Sequence, residues 1–112
     1  MTTLYHNPRC SKSRQALKLL EDEGETVEIV KYLENPPTEQ ELKQVLELLQ
    51  MKPIELVRTQ EKVWKEQYKG KDLSDAAIIT AMLENPKLIE RPIAIKGTHA
   101  VVGRPPENVL EL

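Results

Sequence analysis

The only cysteine of the chain, Cys10, lies in the stretch HNPRCSKSR, whose residues are almost all polar or charged. A lone cysteine most often packs as a small apolar side chain. Here Arg9, Lys12 and Arg14 instead bring three positive charges close to the sulfur in sequence. Positive charge beside a thiol favours the thiolate, which is the nucleophilic form of cysteine. The pattern therefore predicts a reactive thiolate rather than a core residue.

The place of Cys10 between two predicted elements supports the same interpretation. Residues 2–5 are β-prone, and a helix is predicted from about Ser11 because apolar residues follow at helical spacing. The first turn of a helix has free backbone N–H groups and the positive end of the helix dipole, and both stabilise anions. The same N–H groups can bind a tetrahedral oxyanion. A nucleophile and an anion site in one place predict chemistry on an oxyanion.

Ser13 restricts the redox chemistry that this thiol can perform. Dithiol oxidoreductases use the pattern C-x-x-C, in which the second thiol resolves a mixed disulfide. Ser13 occupies that second position here. The chain therefore cannot close its own disulfide, and a redox cycle needs an external thiol. Ser13 is also a candidate to cap the helix or to form a hydrogen bond with the thiolate.

The elements that must position Cys10 predict one α/β sheet. A strand over residues 26–30 completes a β-α-β unit, which favours a parallel, right-handed pair. Residues 91–95 and 98–102 predict a hairpin that turns at Lys96-Gly97, and residues 107–112 predict a final short helix. Four short strands with helices around them indicate a thioredoxin-like fold with a four-stranded mixed sheet.

A helical block separates the second strand from the third. Thr38 opens the capping-box sequence TEQE, with Glu41 in the third helical position and an apolar stripe after it. Helical turns are predicted again over 53–57 and 61–68, and Asp72 or Ser74 caps a further helix that stops at residues 85–86. Trp64 and Tyr68 are four residues apart and are predicted to pack together. We expect a single domain over residues 1–112, with a helical insertion at about 38–86.

Charge and cysteine usage exclude several function classes. The 16 basic and 18 acidic residues leave a net charge of −2, whereas binding to nucleic acid through phosphates requires a basic face. No apolar run is long enough for a membrane span, and the first residues lack the layout of a signal peptide. One cysteine and no zinc-like spacing of Cys and His fit a reducing compartment. We expect a cytoplasmic monomer that binds no metal and no resident cofactor.

Five motifs carry a resemblance to a known family: YHNPRCSKSR, YLENPPT, LVR, NPKLIERPI and VVGRPPENVLEL. In this order they resemble the glutaredoxin-coupled arsenate reductases of the ArsC type, above all the short YfgD-like members. The resemblance extends over nearly the whole chain. It implies a thioredoxin-like fold with a helical insertion, in agreement with the elements above.

The resemblance also implies roles for particular residues. Cys10 matches the nucleophile, His6 matches the histidine that favours the thiolate, and Pro92 matches a proline with a cis peptide bond beside the active site. Ser13 and Arg14 are further candidates to support the thiolate. Three arginines match the oxyanion ligands of the family: Arg58, Arg91 and Arg104.

The implied reaction reduces arsenate to arsenite. The Cys10 thiolate attacks the arsenic and displaces water or hydroxide, while the arginines hold the oxyanion and offset its charge. Glutathione, a co-substrate rather than a bound cofactor, then attacks and reduces the arsenic to give a mixed species. Glutaredoxin resolves this species, and arsenite leaves. The implied partners are therefore arsenate or a related oxyanion, glutathione and glutaredoxin.

Two other function classes remain open. One is an Spx-like transcription regulator, which shares the fold and binds RNA polymerase, although Ser13 removes the C-x-x-C switch that is frequent in that group. The other is a glutathione-dependent thiol transferase, in which a glutathione carboxylate rather than arsenate occupies the arginine pocket. Arg9 and Lys12 add charge beside the thiol, and they leave the identity of the anion open.

Overall fold

The computed structural model describes all 112 residues and contains four strands and four α-helices. In chain order these are β1 (Thr2–Tyr5), α1 (Ser11–Asp22), β2 (Val27–Val30), α2 (Glu39–Leu49), α3 (Lys62–Gln67), α4 (Asp75–Glu84), β3 (Ile93–Lys96) and β4 (His99–Val102). Short 3-10 helices occupy Pro53–Leu56, Pro86–Leu88 and Pro106–Glu111. None of the helices combines the length and the apolar character that crossing a membrane requires.

The four strands form one mixed sheet, as the sequence predicts, and their order in that sheet is β2-β1-β3-β4. Strands β1 and β2 are parallel, with Tyr5 opposite Val30, and the other two pairs are antiparallel. Tyr5 also lies opposite Ile93, and Ile93 lies opposite Val102. The carboxyl ends of β1, β2 and β4 and the amino end of β3 therefore meet at one edge of the sheet.

Strand limits differ slightly from the sequence prediction. The third strand begins at Ile93 rather than at residue 91, because Pro92 has no N–H to donate to the ladder. The hairpin turns at Gly97 as predicted, with a φ of 61°, a left-handed conformation that favours glycine. The last helical segment is a 3-10 helix that begins at Pro106 rather than at residue 107.

Helix α1 is fixed to the sheet by a small apolar core. Ala16 and Leu20 are one helical turn apart, so they face the same way, and they pack in a buried cluster with Leu4, Ala94 and Val109. Burying one such leucine side chain contributes about 1.5–3 kcal/mol. This packing holds the start of α1, and with it Cys10, at the sheet edge described above.

The chain divides into two compact units, and the second of them, residues 36–90, contains the predicted insertion. The first unit comprises residues 1–35 and 91–112.

Within the second unit, the predicted capping box is present: Glu41 N–H donates to Thr38 Oγ1 at 3.1 Å, and Thr38 N–H donates to Glu41 Oε1 at 2.9 Å. Trp64 and Tyr68 stack with ring centroids 5.4 Å apart, as predicted. Ser74, not Asp72, caps α4.

Candidate active site

The sheet edge at the end of β1 collects most of the predicted site residues of the first unit. Cys10 ends the loop that follows β1 and is the N-cap residue of α1. Arg91 and Pro92 lie just before β3, and Arg104 lies two residues after β4. Because β1, β3 and β4 are neighbours, the register alone brings these segments to the same edge. Arg91 and Arg104, which are distant from Cys10 in sequence, thus lie near enough to the thiol to lower its pKa.

The loop that carries Cys10 is held by its own hydrogen bonds. Cys10 N–H donates to the carbonyl of Asn7 at 3.0 Å, and Arg9 N–H donates to Asn7 Oδ1 at 3.0 Å. Arg14, one turn into α1, donates from Nη1 to the carbonyl of Pro8 at 2.9 Å. The Arg14 side chain therefore binds the backbone of the loop that precedes Cys10.

The environment of Cys10 favours the thiolate. Burial of the sulfur raises its pKa, but the backbone N–H of Ser13, the Arg91 guanidinium, the backbone N–H of Lys12 and the Arg104 guanidinium outweigh burial and lower the pKa below its ordinary value. The side chain makes no capping hydrogen bond of regular geometry. The N–H groups at the start of α1 therefore act on the sulfur through their electrostatic field. Cys10 as a whole residue is only 8% exposed.

His6 and Ser13 form a buried pair beside the thiol. His6 Nδ1 lies 2.7 Å from Ser13 Oγ, and the same Oγ accepts a hydrogen bond from Asn7 N–H at 3.0 Å. Burial lowers the pKa of His6, and the charges of Lys31 and Arg14 lower it further. At neutral pH the imidazole is therefore uncharged. It acts as a hydrogen-bond partner of Ser13 rather than as a cation beside the sulfur.

The segments that carry Arg91 and Arg104 are joined directly. Arg104 Nη1 donates to the carbonyl of Arg91 at 3.4 Å, and Gly103 N–H donates to the carbonyl of Pro92 at 2.8 Å. The Arg91–Pro92 peptide bond is cis, and Pro92 is the residue for which the family resemblance implies such a bond. The two hydrogen bonds tie the segment that carries Arg91 to the segment that carries Arg104.

Gly103 is a positioning residue that the sequence analysis did not single out. A Cβ atom at this position would come within 2.8 Å of Pro92 Cγ and 3.1 Å of Val109 Cγ1. Only glycine allows this close approach, which seats the segment of Arg104 against the segment of Arg91. The available signal was an isolated glycine directly before Arg104 in VVGRPP, since such a glycine often marks a close backbone approach.

Arg58 lies in the second unit, where it is engaged with acidic side chains. Its Nη1 lies 3.5 Å from Glu61 Oε1, and its Nε lies 3.8 Å from Glu90 Oε1. Its backbone N–H donates to the carbonyl of Leu88 at 2.7 Å. The side chain is about one quarter exposed, at 26%. Its role as an oxyanion ligand stays a prediction.

A cavity of about 260 Å³ adjoins the Cys10 loop on the β2 side. Residues 6–9 form one wall, and Lys31, Leu33 and Glu34, which follow β2, form the other. His6 N–H donates to the carbonyl of Val30 at 2.9 Å, so the two walls are tied together at their base. Lys31 and Glu34 were not predicted from the sequence as site residues. The available signal was that residues after two neighbouring parallel strands meet at one edge.

Comparisons with known proteins agree with this architecture. The model of the ArsC family matches residues 5–112. YfgD of Escherichia coli K12, an uncharacterized protein, is 48% identical over 111 residues, which cover 97% of this chain and 93% of YfgD. An arsenate reductase of Neisseria meningitidis serogroup A is 42% identical over 108 residues, covering 95% and 92% of the two chains. The solved structure of an arsenate reductase from Vibrio cholerae has a TM-score of 0.94 and 46% identity, covering 98% of this chain and 95% of that one. These similarities confirm the thioredoxin-like fold class.

Proposed function

This chain belongs to the ArsC family, and from that membership we propose that it reduces arsenate to arsenite with Cys10 as the nucleophile. The observation that carries the proposal is the electrostatic setting of Cys10. Its pKa is lowered, despite burial, by backbone N–H groups at the start of α1 and by two arginines. The thiolate, the helix start and the guanidinium groups together make a site for a nucleophile that acts on an oxyanion. Relatives named arsenate reductases support arsenate as that oxyanion.

The first step forms a bond between sulfur and arsenic. The Cys10 thiolate attacks arsenic(V), an As–S bond forms, and one hydroxyl group of arsenate takes a proton from solvent and leaves as water. Arg91 and Arg104 offset the charge on the remaining oxygens, as preorganised cations do in acyl and phosphoryl transfer. The arsenic keeps its oxidation state in this step.

His6 and Ser13 contribute to the reaction by holding the start of α1 in place. The neutral His6 ring and the fully buried Ser13 hydroxyl tie the first turn of α1 to the loop after β1. This contact holds the backbone of Ser13 in place, and the Ser13 N–H is the strongest of the influences that lower the pKa of Cys10. A neutral imidazole also avoids a direct charge pair with the thiolate, so the arginines remain the charged partners of the oxyanion.

The second step transfers electrons and requires an external thiol, because Cys10 is the only cysteine. A glutathione thiolate attacks Cys10 Sγ, a disulfide forms between the two sulfurs, and the As–S bond breaks with its electron pair left on arsenic. The arsenic leaves as arsenite, while the two sulfurs are oxidised. A glutaredoxin thiol then attacks the glutathione sulfur and releases the Cys10 thiolate. Arg58 is a third proposed oxyanion ligand on the strength of the family resemblance alone.

A coupled assay tests the proposal. Arsenate, glutathione, glutaredoxin, glutathione reductase and NADPH are combined with the wild type or with Cys10→Ser, and NADPH oxidation is followed. We expect turnover with the wild type and none above background with Cys10→Ser, because serine is a far weaker nucleophile than a thiolate. A wild type no faster than Cys10→Ser would overturn arsenate reduction.

The same proteins separate the other function classes. Cys10-dependent release of glutathione from a glutathionylated peptide, without arsenate reduction, would select the thiol transferase. Capture of RNA polymerase from a lysate by a protein without either activity would select the regulator.

A further inference from the structure

The cavity beside the Cys10 loop has the composition of a site for a small charged ligand. Its volume of about 260 Å³ is close to the lower end of small-molecule sites, which begin near 300 Å³. Arg9 and Lys31 supply two positive charges, and Glu34 supplies one negative charge. All three side chains are exposed, and none takes part in the ion pairs of the chain. Their charges are therefore available to a ligand.

The single carboxylate distinguishes this cavity from an inorganic anion site. A site for arsenate or phosphate would gather cations and N–H groups and would exclude Glu34, because like charges repel. Two cations with one carboxylate complement a ligand that carries two carboxylates and one ammonium group. Leu33, which is 44% exposed, and Pro8 add an apolar surface for methylene groups.

We propose that this cavity is the subsite for glutathione, a thiol that carries two carboxylates and one ammonium group. The inference rests on the proposed function, in which glutathione attacks Cys10. Arg9 and Lys31 bind the two carboxylates, and Glu34 binds the ammonium group of the γ-glutamyl residue. This assigns three residues, all outside the arginine pair, to recognition of the second substrate.

The order of segments along the sheet edge fits the chemistry of the second step. Displacement at sulfur is in line, so the attacking sulfur and the departing arsenic must lie on opposite sides of Cys10 Sγ. The sheet order β2-β1-β3-β4 places the cavity segment after β2 on one side of the Cys10 loop. It places Arg91, before β3, and Arg104, after β4, on the other. The thiol donor and the oxyanion thus reach the Cys10 loop from its two sides.

Steady-state kinetics of Lys31→Glu test the subsite. We expect KM for glutathione to rise about five- to tenfold, since exposed ion pairs are individually weak and the reversed charge also repels. The ratio of KM for glutathione to KM for mercaptoethanol, which has no charged group to recognise, should rise by a similar factor, because an effect of Lys31 through the pKa of His6 acts on both thiols alike. Lys71→Glu is the matched control. It makes the same change in charge at an exposed lysine that does not line the cavity.

Glu34→Gln tests the assignment of the ammonium group. The wild type should prefer glutathione to an analogue that lacks the γ-glutamyl amino group, and Glu34→Gln should lose that preference. An unchanged preference in Glu34→Gln would overturn the assignment. Equal effects of Lys31→Glu and Lys71→Glu on KM for glutathione, or equal effects of Lys31→Glu on both thiols, would overturn the subsite.

A binding measurement separates failure of the subsite from failure of the proposed function. Glutathione is titrated into Cys10→Ser, which cannot react, and into the double variant with Lys31→Glu. Binding that the second substitution weakens supports the subsite even if arsenate is not a substrate. Saturable binding that is equal in both proteins, or no binding at millimolar glutathione, would overturn it whatever the assay with arsenate shows.

Discussion

Helices α1 and α2 differ in how the free backbone N–H groups of their first turns are satisfied. At the start of α2, Thr38 and Glu41 satisfy each other's backbone N–H groups, and Glu39 and Glu41 place two carboxylates in the first turn. At the start of α1, Cys10 makes no side-chain capping bond and the first turn contains no acidic residue. The positive end of α2 is neutralised by its own side chains, whereas that of α1 is left for the thiolate. A helix start that lacks its usual cap can therefore indicate a functional anion site when a nucleophile takes the cap position.

Replacing Cys10 with serine should produce the largest change. It removes the nucleophile at this helix start and introduces a side chain that caps the helix. The Cys10 backbone is extended, with φ −95° and ψ 123°, which is the conformation of an N-cap residue. Cys10→Ser should lose arsenate reduction entirely, yet it should be more stable than Cys10→Ala by about 1 kcal/mol because serine caps helices well. The coupled assay and urea denaturation measure the two effects. Equal stability of the two variants would show that position 10 does not behave as a cap.

Removing the cap of α2 should lower stability without affecting the thiol. Thr38→Ala should lower the free energy of unfolding by about 1 kcal/mol, the ordinary cost of losing a threonine N-cap. It should leave the pKa of Cys10 unchanged, since the group lost is an uncharged hydroxyl of another helix. Urea denaturation and the rate of Cys10 alkylation check these two outcomes, with Thr59→Ala, at an exposed position outside any helix, as a control. A Thr38→Ala protein as stable as the control would contradict the comparison.

Giving α1 the acidic first turn of α2 should have a smaller effect. Ser11 is the first residue of α1, as Glu39 is of α2. Ser11→Glu should stabilise α1 and raise the pKa of Cys10 by about half a unit, because a carboxylate near the helix start competes with the thiolate for the same field. The pH dependence of alkylation measures this change. Ser11→Gln, which adds similar bulk without charge, should leave the pKa where it is, and the same shift in both variants would rule out the electrostatic explanation.

Local patterns were readable from the sequence, and non-local placement was not. The capping box at Thr38 and the start of α1 at Ser11 depend on residues within one helical turn, so they could be predicted. The cavity residues Lys31 and Glu34 acquire their place only through the parallel register of β1 with β2. Gly103 is needed because of Pro92, eleven positions away. An isolated glycine in the sequence can mark a close backbone approach, but it does not tell which residue is approached.

The chemistry of the site could be predicted from the sequence only in part. Polar neighbours and the helix start indicated the thiolate at Cys10, and the absence of a second cysteine indicated an external thiol. Arg91 and Arg104 look like ordinary surface arginines by sequence, apart from the proline that follows each of them, and the family resemblance singled them out as oxyanion ligands. The neutral state of His6 could not be predicted, because it results from burial of the ring and from two cations that the fold brings near it.

The pH dependence of Cys10 alkylation tests the central claim most directly. A lowered pKa means that the thiolate persists at lower pH than in an ordinary cysteine, so the alkylation rate should reach half its maximum clearly below a pH of about 8.5. Arg91→Ala should move that midpoint upward and weaken the protection that arsenate gives against alkylation, because the Arg91 guanidinium lowers the pKa of Cys10. A wild-type midpoint at or above the ordinary value, or equal arsenate protection in Arg91→Ala, would contradict the account.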